Sequence, residues 1–84
     1  MENREYIVQQ MTNKLSEELD KDIELVNNGT HPNSYNIYIN DKLLKYKMDN
    51  DLVVPYTLSV EMMMFIKEEE LQILIKDLKE NARV

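Results

Sequence analysis

A two-layer α+β domain is predicted, built as an N-terminal helix, a three- or four-stranded antiparallel sheet and a C-terminal helix, αβββ(β)α. Three features of the sequence lead to it. Apolar residues recur at helical spacing near both ends of the chain, they alternate with polar ones through the middle, and a cluster of turn-forming residues separates the first strand from the rest. Helices at either end of an antiparallel run cover one face of the sheet, which is the common solution for elements in this order. At 84 residues the chain falls at the lower end of the single-domain range, so 1-84 is read as one domain.

From about Glu2 to Asp20, the residues Ile7, Met11, Leu15 and Leu19 recur at every fourth position, with charged residues between them. That spacing predicts an amphipathic helix with one buried stripe. Ile23-Glu24-Leu25-Val26 changes the period and reads as a short strand. Asn27 to Ser34 holds the only glycine, one of the two prolines and a cluster of asparagines, a composition suited to a loop. Within it, Asn28-Gly29-Thr30 matches a glycosylation acceptor, but the same residues are accounted for by an Asn-Gly turn.

Next, Tyr35, Ile37 and Ile39 alternate with Asn36 and Tyr38, and Asn40-Asp41 marks a tight turn. Leu44, Tyr46 and Met48 then alternate with Lys45 and Lys47. A β-hairpin is predicted, with one apolar face and an outer face carrying Tyr38, Lys45 and Lys47.

Asp49-Asn50-Asp51 is a polar turn. After it, Val54, Tyr56, Leu58, Val60, Met62 and Met64 alternate with Pro55, Thr57, Ser59 and Glu61, the period of a strand. The rival reading is a helix, in which Leu58, Met62, Phe65 and Ile66 share a face. That face points away from the stripe of Leu71, Leu74, Ile75 and Leu78, so one continuous helix would be apolar on two sides. A strand ending near Ile66 is therefore predicted. Lys67 to Asn81 forms the closing helix, with Glu68, Glu69 and Glu70 at its start and Lys76 and Lys79 towards its end, charges that complement the helix dipole.

Composition narrows the function classes. Without cysteine there is no disulfide and no thiolate chemistry, which fits a reducing compartment. No stretch resembles a signal-peptide core or the roughly 20 apolar residues of a membrane span, so a cytoplasmic location is expected. The net charge of −6 opposes general affinity for phosphate backbones and anionic membranes. The charge is uneven, since Asn36 to Met48 carries three lysines against Asp41 alone.

Catalytic chemistry finds no support. His31 is the only histidine and has no serine, aspartate or second zinc-type ligand at a useful spacing. Asp20 to Glu24 and Asp49 to Asp51 place carboxylates two residues apart but lack the glycine and glutamate of a calcium loop, so solvated turns explain them. No cofactor or metal is expected, and no enzyme.

Two surfaces remain as candidates. Met62-Met63-Met64-Phe65 is the most unusual local feature. In a strand, if Met62 and Met64 enter the core, Met63 and Phe65 face outward and offer an adaptable apolar surface, to a second copy or to another protein. Glu68, Glu69 and Glu70 lie beside it as an acidic docking patch. The alternative is the basic and aromatic strip of Tyr38, Lys42, Lys45 and Lys47, because cations beside aromatic rings on a sheet are what single strands stack against. In outline the order of elements resembles the double-stranded-RNA-binding domain. That family's lysine-rich start of the last helix, however, is replaced here by Glu68-Glu69-Glu70, which repel phosphates.

The expected function is therefore that of a small acidic accessory or regulatory protein that binds another protein and forms a homodimer. Its acidic surface could also serve as a decoy for a nucleic-acid-binding partner. The short, Asn- and Lys-rich composition resembles the products of phages and other mobile elements of AT-rich bacteria, which implies an inhibitor of a host protein. Weak nucleic-acid binding is the second expectation.

Overall fold

A computed structural model describes residues 2–81. Helix α1, Glu2–Leu19, buries Met11, Leu15 and Leu19 along one side, as the four-residue spacing requires. It stops where Asp20 takes a left-handed φ of 53°, one of the few non-glycine residues that tolerate that conformation. The Ser16 hydroxyl donates to the Lys21 carbonyl at 2.8 Å and closes the end.

Strand β1, Ile23–Asn27, runs antiparallel to β2, Ser34–Ile39, with Ile23 opposite Ile39 and Leu25 opposite Ile37. The loop between them is held by asparagine side chains, as turns of this composition are. Asn27 Oδ1 accepts from the Gly29 amide at 3.0 Å, and Asn28 Oδ1 accepts from the amides of Thr30 and His31. Arg4 reaches over from α1 and donates to the Pro32 carbonyl and to Asn33 Oδ1.

Asn40 and Asp41, with φ of 51° and 68°, make the two-residue turn that leads into β3, Lys42–Leu43. β3 follows β2 only as far as Leu44, whose amide donates to the Ile37 carbonyl at 2.8 Å. The chain then leaves the sheet as a hairpin of β4, Lys45–Lys47, and β5, Val53–Pro55. Its tip turns through the bonds Asp51 amide to Met48 carbonyl and Met48 amide to Leu52 carbonyl, with Asp51 left-handed at φ 67°. That is a three-residue loop with a bulge. β6, Thr57–Ser59, returns to β2, with Thr57 opposite Asn36 and Leu58 opposite Tyr35. Leu44 beside Ile37 and Thr57 beside Asn36 are consecutive places along one edge of β2. Residues 45–56 are thus an excursion from what is otherwise a single edge strand, and are called the arm below.

Ser59 caps helix α2, Val60–Phe65, by accepting from the Met62 amide at 3.0 Å. Ile66 is extended, at φ −66° and ψ 132°, and helix α3 runs Glu68–Asn81. Glu70 reaches back to accept from the Lys67 amide at 2.9 Å, the second half of a capping box. The inward residues of the sheet, Ile23, Ile37, Ile39, Leu44 and Leu58, share a core with Met11, Leu15 and Leu19 of α1, Met63 of α2, and Leu71, Leu74, Ile75 and Leu78 of α3. The helices cover one face of the antiparallel sheet, the predicted two-layer α+β arrangement.

Three expectations are corrected. The strand predicted to end near Ile66 stops at Ser59, and 60–65 is helical. The two-sided rod that spoke against a helix does not arise, because the extended break at Ile66 lets α2 and α3 each turn an apolar side inward. As a result Met63 is buried and Met64 is exposed, the reverse of the strand assignment. The apolar face assigned to Leu44, Tyr46 and Met48 is divided too. Leu44 enters the core, while Tyr46 and Met48 go out with the arm.

Deleting residues 45–56 and joining Leu44 to Thr57 is expected to leave a folded protein, with helical circular dichroism retained and a single cooperative thermal transition. Ser59→Ala is expected to cost about 1 kcal/mol in denaturant unfolding, through loss of the α2 cap.

Candidate functional site

The arm is anchored at its root by Tyr56. Its amide donates to the Leu44 carbonyl at 3.0 Å, and its phenol donates to Asp77 Oδ2 of α3 at 2.5 Å. Its ring meets Tyr46 edge to face, with centroids 5.6 Å apart and planes at 71°, a favoured aromatic geometry. Burial first, then the hydrogen bond to the Asp77 carboxylate, then the charge of Asp77 and the neighbouring Tyr46, push the Tyr56 phenol far above its ordinary value. The tyrosine is therefore a brace rather than a base at neutral pH. A groove of about 660 Å³ runs past it, lined by Lys45, Lys47, Tyr46, Tyr56 and Asp77. Charges of both signs face the groove.

At the opposite end of α3, the corner between α2 and α3 presents the other exposed apolar surface. Phe65 is 73% exposed and Met64 51%. Met63, predicted to face outward, instead packs in the core and helps line a hollow of about 300 Å³ with Tyr6 and Met11 of α1 and Leu71 of α3. The three glutamates at the start of α3 are all exposed. Glu70 is occupied by the cap at Lys67, Glu68 accepts from Gln72 Nε2 at 3.0 Å, and Glu69 makes no hydrogen bond or ion pair among the described residues.

The basic strip assembles in part. Tyr38 stands on the outer face of β2 opposite Leu43, so the adjacent Lys42 falls on the other face of the sheet. Lys45 and Lys47 leave with the arm, and Lys47 pairs with Asp51 at 3.4 Å. Lys42, Lys45 and Lys47 nevertheless line one groove of about 570 Å³ together with Lys21, and Tyr38 is the member of the strip that stands apart.

Sequence reasoning missed several exposed residues. Leu52 and Val53 at the arm's tip are 55% and 56% exposed, and Ile73 on α3 is 69% exposed. Ile73 had a signal, since it falls outside the helical stripe of Leu71, Leu74, Ile75 and Leu78. The pairing of Tyr56 with Asp77 had none, because nothing local links residues that far apart in the chain.

Among the described residues, no three acidic or histidine side chains gather where they could hold a metal ion, and no helix is long and apolar enough to cross a membrane. Comparison with protein-family models, with characterised proteins and with solved structures finds no match.

Because the fold favours the neutral Tyr56 phenol, its stabilisation is complete below the ordinary tyrosine range near pH 10 and is lost as pH rises beyond it. The stability advantage of the natural protein over Tyr56→Phe is expected to hold steady from pH 7 to about 9 and to shrink above about 10. Urea unfolding of both proteins across that range measures it.

Proposed function

We propose that this chain is a non-enzymatic binding protein that recognises another protein through the α2–α3 corner. The exposure of Phe65 carries the reading, because a small soluble protein gains nothing from a large aromatic ring held in water. Phe and Met are enriched where proteins meet, and both are presented here by a backbone that is already ordered. The Ser59 cap, the extended Ile66 and the Lys67–Glu70 cap set its shape, so little conformational entropy is lost on binding. Glu61, Glu68, Glu69 and Glu70 lie near the apolar pair in the chain and outnumber the exposed Lys67 there, so the fitting partner has an apolar pocket with a mainly basic rim.

In its finer form the proposal is a regulatory or inhibitory protein of a phage or other mobile element, acting in the cytoplasm on a basic host protein. The acidic, Asn- and Lys-rich composition supports this. Nucleic-acid binding is the weaker reading. Lys42, Lys45 and Lys47 line one groove with Lys21, but Tyr38 stands apart from them on the outer face of β2, and the chain carries a net charge of −6.

Affinity capture from the native cells is expected to retain a protein partner as salt is raised. Phe65→Ser is expected to weaken that capture at least tenfold while circular dichroism stays unchanged, the loss typical of removing a central aromatic anchor. Retardation of short RNA or DNA at low salt, abolished by Lys45→Glu with Lys47→Glu, would replace the protein-binding reading with the nucleic-acid one.

A further inference from the structure

We infer that the lysine-lined groove at the root of the arm binds a small organic phosphate, held by the ammonium groups of Lys21, Lys42 and Lys45 over an apolar floor. The groove encloses about 570 Å³, a size within the usual range of small-molecule sites, and it shares no residue with the α2–α3 corner. The inference therefore stands apart from the protein-binding reading.

Strand register fixes which way the lysines face. Lys42 lies opposite Ile39, and residues opposite one another in a strand pair share a face, so Lys42 is on the same side of the sheet as the buried Ile39 and Leu44. On the arm, Lys47 lies opposite Val53 and Lys45 precedes Lys47 by one period of the strand, so these three share one face. Tyr46 turns to the other and meets Tyr56. Ile39, Leu44 and Val53 all line the groove, as do the lysines on their faces. Lys21 joins them from the turn between α1 and β1. Asp22 does not, because it precedes the inward Ile23 and alternation directs it to the outer face of the sheet.

The attraction is one of contact rather than of overall charge. Four of the chain's eight lysines line this groove, and among the described residues no carboxylate does. Lys47 is shared with Asp51 at 3.4 Å, whereas Lys21, Lys42 and Lys45 make no ion pair among the described residues. Like charges gathered around one hollow repel one another, and an anion between them turns that repulsion into attraction. Lysine presents a compact charge on a flexible stem, which suits the dense charge of a phosphate, and the groove has no arginine to offer a carboxylate its planar fork.

The same surroundings set the rest of the ligand. Ile39, Leu44 and Val53 call for an apolar body beside the phosphate. Asp20, Asp22, Asp41, Asp51 and Glu80 lie close in the chain to lining positions, so a long polyanion leaving the groove meets carboxylates. A ligand that ends inside it is answered by the lysines it touches. The site is also formed in advance. Ile39 and Leu44 belong to the core, Asn40 is tied in both directions to Asp22, and Tyr56 holds the arm's root to Asp77, so little order has to be created on binding.

Amide chemical shifts of the full chain, followed as adenosine diphosphate is added at low salt, test the site. Movement is expected at Lys21 and across residues 39–47, with a dissociation constant of about 0.1–1 mM, and it is expected to weaken as salt is raised. Inorganic pyrophosphate, which has the charge but no apolar body, is expected to bind at least about threefold more weakly. Lys42→Gln with Lys45→Gln is expected to weaken nucleotide binding about tenfold with circular dichroism unchanged, both positions being exposed. Lys14→Gln with Lys67→Gln makes the same change of net charge outside the groove and is expected to leave binding as it was.

Resonances of the groove that stay still at millimolar nucleotide, equal losses in the two double variants, or pyrophosphate bound as tightly as the nucleotide overturn the inference. So does a short single-stranded oligonucleotide that binds more tightly at equal phosphate concentration, which assigns the groove to nucleic acid instead. Capture of a protein through Phe65 is read with a different variant on a different surface, so the groove and the proposed function fail separately.

Discussion

Leu15 of α1, Ile37 of β2 and Leu78 of α3 have no surface left in contact with solvent, and Leu58 of β6 is nearly as enclosed. These side chains meet on the one face of the sheet that the helices cover. In a chain of 84 residues there is little else to hold it, since net stability at this size is of the order of a few kcal/mol and each enclosed aliphatic side chain contributes about 2. That scarcity explains several local choices. The helix ends are capped by side chains, the β1–β2 loop is tied by its own asparagines, and Arg4 reaches from α1 to hold that loop in place.

The arm follows from the same constraint. β2 has one edge filled by β1, while its other edge is shared by β3 and then β6 in consecutive places. Because the edge resumes in step after the excursion, the arm can leave without unsealing the core. Exposure is greatest at its tip, and at its root Tyr56 and Asp77 bind it to α3. An element held this way has a defined direction but few buried contacts of its own.

The distribution of charge is uneven. Acidic residues predominate both in residues 2–24 and where α2 meets α3, and there Lys67 lies among Glu61, Glu68, Glu69 and Glu70. The α2–α3 corner and the arm both expose apolar side chains beside charged ones.

Both long helices, the first strand, the asparagine loop and the tight turn at Asn40-Asp41 were legible in the sequence, because each depends on contacts within a few residues and so leaves a period or a turn signature. Phe65 was predicted to face outward and does, although the strand from which that was read does not form. The direction of Met63 was not legible, because it depends on whether 60–65 is strand or helix.

Alternation from Val54 to Met64 looked like one strand, but it joins two short strands with different partners to a helix that happens to continue the pattern. Ser59 was a visible cap, yet a cap only permits a helix. What selected it was the packing of Met63 against α1 and α3, together with the extended break at Ile66 that turns α3 back over the sheet. The departure of the arm at Leu44 and its brace at Asp77 likewise came only from tertiary structure. They are set by competition between two segments for one edge of β2 and by a hydrogen bond between residues distant in the chain, and short-range spacing carries no record of either.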